Sequence, residues 1–468
     1  MARPVCGRLA ASAATAAALV ATQACRHFEP EPLSPAASAA ALEGRSLADP
    51  GLRAWLEESR GEPLPRWPLD RWELGSLTLA ALYFHPSLDV ARAQWQVAQA
   101  GVLSAGARPN PTLSITPQYV ANAVAGTPAW VAAGALDWPI ETAGKRGRRI
   151  DGAEHHAAAA RLSLDAAAAQ VRADLRARLL DFAAARTRAE LLAREQAADR
   201  AVAGLLEDRV EAGAASIAEL APARLTALQS AADLADADQQ HRESRVRLAE
   251  ALGLAARALD GIEIDFDLDA PPANADVPQD ELRRAALQER PDLLAALADY
   301  EASESALRLE IARQYPDLRI GPGYEYDQGL NKWAVIGVTL ELPVLDRNQG
   351  PIGEAEARRV ESAARFLALQ ATVLGDLDRA LANRDSAREG LARGEAILAA
   401  ERERMDFAQQ AMEAGAIDRL GLETARAGLL RAERIRVEAQ VRLQQAQGDL
   451  EAALARPLES SPTVERSR

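Results

Sequence analysis

The chain has 468 residues, of which 48% are hydrophobic, many of them alanine, and only 4% aromatic. A formal net charge of -14 argues against a nucleic-acid binder. No run of 18 strongly apolar residues occurs, so an ordinary transmembrane helix is excluded. If the chain crosses a membrane, it must do so as strands.

Residues 1–24 are expected to be a signal peptide. Arg3 and Arg8 precede the apolar run Leu9–Ala21, and Thr22-Gln23-Ala24 offers small residues for cleavage. Cutting after Ala24 removes Cys6 and makes Cys25 the first mature residue, placed for a thioether-linked lipid. A leucine is usual where Thr22 stands. The alternatives are a plain signal ending before a cysteine, and a cytoplasmic N-terminal helix. Residues 25–76 then form a proline-rich, lipid-anchored segment, read as a tether or an extended wrap around the body.

The body is a tandem repeat, residues 77–254 and 280–456, followed by a flexible tail at 457–468. His85-Pro86-Ser87-Leu88 corresponds to Arg290-Pro291-Asp292-Leu293, and Leu136-Asp137-Trp138-Pro139-Ile140 to Leu340-Glu341-Leu342-Pro343-Val344. Glu211-Ala212-Gly213-Ala214 corresponds to Glu413-Ala414-Gly415-Ala416. Landmarks roughly 200 residues apart and in one order are too widely spaced for solenoid units.

Each repeat predicts a helix, a strand pair, a very long helix ending near Gly213 or Gly415, and a shorter return helix. No proline lies between Ile140 and Ala221, or between Ile352 and Arg456. Val360, Ala364, Leu367, Ala371, Leu374 and Leu381 keep the step of a coiled-coil seam.

The strands alternate in polarity. Leu113, Ile115 and Tyr119 share one face. In the second repeat Leu318, Ile320, Tyr324 and Tyr326 face one way, while Asp317, Arg319, Glu325 and Asp327 face the other. The last strand is expected to put Ala334, Ile336, Val338, Leu340 and Leu342 on one side, and Thr339 and Glu341 on the other. Trp130, Trp138, Tyr324, Tyr326 and Trp333 stand near strand ends, where aromatic girdles sit at a membrane interface. The competing reading is a soluble sheet over a core, but no helix offers a broad apolar face to cover it. Four strands cannot close a barrel, so subunits must pool them: eight in a dimer, 12 in a trimer.

This order of elements, twice over, resembles the TolC family of outer-membrane efflux proteins. The resemblance covers about Leu77 to Leu454. It implies an α+β membrane protein, mainly α: a long coiled-coil helical barrel plus four transmembrane β-strands per subunit, with a tandem internal repeat and a trimeric 12-stranded barrel. It also implies a homotrimer in outer-membrane lipid that docks a periplasmic adaptor and an inner-membrane pump. Glu141-Thr142-Ala143-Gly144-Lys145-Arg146 and Asn348-Gln349-Gly350-Pro351 resemble the heavy-metal efflux branch, although Thr142-Ala143 departs from its Gly-Gly form. The implied role is a passive conduit, with metal cations as cargo.

Several residues carry site expectations. Asp317, Arg319, Glu325, Asp327 and Glu341 are placed on the barrel lumen. Lys145 and Arg146 are read as interfacial anchors for lipid phosphates or as a solvated helix start, since cations oppose the dipole at a helix N-terminus. By the resemblance, the reversals near Gly213 and Gly415 form a periplasmic tip where acids narrow the pore, with Glu423 and Asp418 as the constriction residues. His155-His156 makes a poor chelate, because adjacent helical residues diverge by about 100°. No cofactor, metal site or catalytic motif is expected. The alternative function is a periplasmic coiled-coil structural or adaptor protein, which explains the helices but not the duplicated strand pairs.

Overall fold

The structure, a computed structural model, describes residues 28–270, 278–327 and 329–458. They fall into two units divided after Arg45. Among its described residues the first has the exposed helix α1 (Pro35–Glu43), whose first turn Ser34 caps through the Ala37 N–H. Cys25 and the signal segment lie outside the described residues.

The second unit opens with α2 (Pro50–Arg60), which begins where Asp49 accepts from the Gly51 and Leu52 N–H groups and proline occupies the first position. A short strand, β1 (Arg71–Trp72), leads to α3 (Leu74–Phe84) and α4 (Pro86–Gly106). Of the two readings given above, tether or wrap, the packing fits the wrap: Leu47, Leu52, Leu56, Leu64 and Trp72 join one core with Leu175 and Leu179 from the first long helix. Widely spaced leucines on such short elements carry no long periodicity, so the sequence pattern alone did not expose this packing.

The two repeats then unfold in the expected order. The first has β2 (Thr112–Tyr119), β3 (Trp130–Ile140), α5 (Lys145–Glu211) and α6 (Ile217–Ala251). A linker carries β4 (Glu263–Ile264), which pairs in parallel with β1. The second repeat has α7 (Gln279–Gln288), α8 (Pro291–Ala312), β5 (Leu318–Asp327), β6 (Leu330–Leu340), α9 (Gln349–Glu413) and α10 (Arg419–Leu454). Helix α5 alone has 67 residues, roughly 100 Å at 1.5 Å per residue.

Both reversals use the same device. Gly213 and Gly415 follow the long helices with φ of 71° and 72°, a conformation that costs glycine nothing. The Ser216 hydroxyl then accepts the Glu219 N–H and donates to its carboxylate, which caps the start of α6. Asp418 caps α10 by accepting from the Gly421 N–H.

Packing order decides which faces remain free. Near the sheet the helices lie side by side as α4, α5, α8, α9; toward the reversals they lie as α6, α5, α10, α9. The four-stranded sheet runs β2, β3, β5, β6, antiparallel throughout. In every layer one free edge comes from the first repeat and the other from the second. The seam expected along α9 lies largely on such an edge: Val360 and Leu367 are exposed, whereas Val373, Leu377 and Leu381 face the core.

Candidate functional site: the two-faced sheet and the helix ends

Strand register sorts the sheet into two chemically distinct faces. Ile115, Gly134, Tyr324 and Trp333 stand in one cross-strand row, and Trp138, Ile320 and Val338 in another. Leu113, Tyr119, Trp130 and Ile140 share that face by the two-residue period. It is apolar yet turned to solvent, with Ile115 71% exposed and Trp333 72%. Tyr119 packs edge-on against Trp130 at 5.2 Å, and Tyr324 lies tilted against Trp333 at 4.6 Å. Trp130 and Trp138 are separated along β3 by roughly 27 Å at about 3.4 Å per residue, close to the height of a membrane barrel's apolar band.

The opposite face carries Thr112, Ser114, Thr116, Gln118, Arg319, Glu325, Asp327 and Thr339. Lys332 joins them, 2.7 Å from Asp327 and 3.5 Å from Glu325. The two acids Glu325 and Asp327 therefore share a cation, which the strand pattern had not singled out.

One expectation about β6 is corrected. A β-bulge between Gly321 and Gly323 shifts its register by one residue, so Trp333 rather than Ala334 shares a face with Tyr324, and Val338 with Ile320. A single inserted residue reverses parity on either side of it. The signal is Gly321-Pro322-Gly323 in mid-strand: Pro322 lacks a ladder N–H, and a Cβ on Gly321 would lie 1.5 Å from the Leu136 carbonyl oxygen. Glu341 is exposed but lies one residue beyond β6.

The cations at the start of α5 are corrected as well. Lys145 is 7% exposed, and its ammonium donates to the Tyr315 carbonyl at 2.6 Å and to Asp317 at 2.7 Å. Buried and already bonded to two acceptors, the ammonium is not presented to a lipid phosphate, and Asp317 sits just before β5 at this junction rather than along the strand. Arg146 donates to the Gly106 carbonyl, and Arg149 to those of Ala105 and Ala107 and to Glu141. These arginines satisfy the bare carbonyls at the end of α4, which explains cations where the α5 dipole alone disfavours them. Thr142 donates its N–H to Asp317 and its hydroxyl to the Pro316 carbonyl. Burial opposes the Asp317 carboxylate, but the Lys145 and Thr142 bonds outweigh it and hold its pKa below the usual value. The stretch Glu141–Arg146 is thus a clamp between sheet and helices.

At the far end, an Arg209–Asp418 ion pair brings the two reversals to the same height. The Glu423 side chain is 12% exposed and 3.7 Å from Arg426. Between tip and sheet, the α5–α10 seam holds buried charges that the sequence did not flag. Arg431 reaches Glu195 at 3.0 Å and Asp199 at 2.5 Å, and Arg434 reaches Glu195 at 3.1 Å. Such groups hide in sequence because their partners lie more than 200 positions away.

His155 and His156 point to different carboxylates, Glu301 and Asp299. Among the described residues no cluster of three or more potential metal ligands exists, and no helix is long and apolar enough to cross a membrane. The latter says nothing about a β-barrel.

The outer membrane efflux protein family matches residues 79–254 and 282–456. The chain belongs to that family. Membership makes it an outer-membrane efflux protein rather than an enzyme. The cobalt-zinc-cadmium resistance protein CzcC of Cupriavidus metallidurans is 29% identical over 291 residues, which cover 60% of this efflux protein and 65% of CzcC, slightly under two thirds of that relative. Among solved structures, the Vibrio cholerae outer membrane protein VceC superposes with a TM-score of 0.66 at 22% identity, covering 82% of this chain and 97% of VceC. The Campylobacter jejuni CmeC outer membrane channel gives 0.66 at 16% identity, covering 84% and 87%. At such identities these two establish a shared fold.

Proposed function

We propose that three copies of this efflux protein close head to tail into one channel. Their sheets pool into a 12-stranded barrel, and their long helices continue it as a tube through the periplasm. The observation that carries this reading is the exposed apolar face of a four-stranded sheet with both edges open. An open edge of that kind demands a partner strand, and closure removes it. The ring requires free edges of opposite origin, as β2 and β6 are, and α4 and α9 repeat the arrangement with exposed Val97, Leu103, Val360 and Leu367.

The polar face lines the lumen, and the apolar face with its aromatic rims meets lipid. The tip formed by both reversals is the narrow end, where Asp418 and Glu423 ring the axis. It engages a periplasmic adaptor and, through it, an inner-membrane pump. Cys25 carries a lipid that adds a second hold on the membrane.

Divalent metal cations are the cargo, a reading supported by the likeness to CzcC, whose name gives cobalt, zinc and cadmium. A conduit needs no tight site for what it passes. Cells deleted for this chain should retain more zinc, cobalt or cadmium than their parent, measured by elemental analysis after a pulse, and the restored chain should reverse it. Unchanged retention of all three would remove the metal assignment.

A further inference from the structure

At mid-height the helical layer has two unlike faces. One carries the wrap: Leu175 and Leu179 of α5 lie in its core, Arg186 donates to the Ile264 carbonyl, and Gln440 of α10 donates to that of Leu268. The other face holds an open groove of about 750 Å³, with α5 as its floor and α6 and α10 as its walls. Ala184 and Ala185 of α5, with Val437 and Val441 of α10, make it apolar along the middle. The α5 residues Asp181, Ala184, Ala185 and Arg188 recur every three or four positions, on the side of the helix turned away from Leu175 and Leu179.

Three acids line the groove, and each is already paired. Arg178 reaches Asp181 at 3.0 Å, Arg247 reaches Glu243 at 2.5 Å, and Arg434 reaches Glu438 at 3.2 Å. Arg188 and Arg442 also line it, both exposed, and neither has an ion-pair partner among the described residues. Glu438 stands four residues before Arg442 yet bonds Arg434 instead. Contacts from α5 to α10 run from Arg176–Gln444 to Glu195–Arg431, so Arg442 stands toward the sheet and Arg188 toward the reversals. Two free guanidiniums toward opposite ends of an apolar trough, in a chain of net charge -14, are a surplus that the packing does not require.

We infer that this groove binds an organic dianion, with one carboxylate or phosphate group on each free guanidinium and apolar carbon between them. A guanidinium grips such a group through two parallel hydrogen bonds, and the small alanine and valine side chains leave room for a carbon chain. The place of the groove in the bore rests on the ring proposed above. Three wraps turned inward would fill the tube, so the wrap lies outside and the groove inside. An anion site on the inner wall goes beyond the cation cargo proposed there.

The test is titration calorimetry of the full-length protein in detergent with heptanedioate, heptanoate and inorganic phosphate, with native mass measured in parallel. Heptanedioate should bind once per chain, about ten-fold tighter than either of the others. Arg188→Gln and Arg442→Gln, both at exposed positions, should each weaken it about ten-fold, and Arg161→Gln, outside the groove, should not. In planar bilayers heptanedioate should reduce the single-channel current of wild type but not of Arg188→Gln. No binding, or equal binding by wild type and both groove variants, would overturn the site. Heptanoate or phosphate binding as tightly as heptanedioate would overturn the dianion. Binding that the variants lose, without any effect on the wild-type current, would overturn the place of the groove in the bore. A monomeric native mass with binding that still depends on both arginines would overturn the ring and leave the site standing.

Discussion

The Lys145 ammonium lies 2.7 Å from the Asp317 carboxylate, tying the start of α5 in the first repeat to the start of β5 in the second. Through this contact the sheet and the helices hold a common angle, and the two repeats are fastened to each other where they change from strand to helix. Lys145 is nearly buried, so removing it takes the ammonium donor from the Tyr315 carbonyl and leaves Asp317 with the Thr142 N–H.

Lys145→Met should therefore destabilise the subunit by about 1–3 kcal/mol, measured by thermal loss of helical circular dichroism. The effect has a pH signature. Asp317 has a depressed folded pKa, so its contribution is complete above the unfolded value near about 4 and fades as pH falls through the folded value. The difference between wild type and Lys145→Met should be constant from about pH 8 to pH 5 and shrink below pH 4. A difference that grows on acidification would contradict the clamp.

Neighbouring residues on β2 should respond oppositely to the same charge. Ile115 lies on the apolar face and Thr116 on the polar one. Ile115→Arg should cost about 2–4 kcal/mol of membrane-folded stability, and Thr116→Arg much less. Refolding into lipid vesicles across a denaturant series measures both. Equal costs would mean that the faces are assigned the wrong way or that neither meets lipid.

Most of this architecture was legible from the residues. Proline-free stretches, duplicated Gly213 and Gly415, and alternation from Thr112 to Tyr119 located the long helices, their reversals and the strands. Two kinds of feature were not. The bulge that turns Trp333 onto the apolar face depends on how Pro322 meets a neighbouring strand, which a strand's own pattern does not contain. The engagement of Lys145, Arg146 and Arg149 with carbonyls at Tyr315, Gly106 and Ala105 is invisible locally, because main-chain acceptors leave no trace in side-chain identity. Buried Glu195 and Asp199 look like solvated helix acids until Arg431 and Arg434 are brought beside them.

At the tip, cap and charge can be separated. Asp418→Asn should keep the α10 cap but lose the ion pair with Arg209, whereas Asp418→Ala loses both, at about 0.5–2 kcal/mol for the cap. Both should enlarge single-channel conductance in planar bilayers by loosening the reversals. Glu423→Ala should lower cation selectivity and weaken block by divalent ions. If a lumen substitution such as Glu325→Ala alters selectivity while Glu423→Ala does not, the constriction is at the other end.

The lipid on Cys25 is checked by intact mass. The mature chain should begin at Cys25 and carry the added acyl groups, and Cys25→Ser should lose them while still assembling in the membrane. A mature N-terminus without that mass removes the anchor from the account.

The central claim is that an open four-stranded sheet becomes membrane-competent only by sharing its edges with two more copies. Native mass spectrometry of detergent-solubilised protein tests it most directly. Three chains, each close to the 50.0 kDa precursor less its signal segment, are the predicted species. A monomer that inserts and conducts by itself, or a stable dimer, would contradict it.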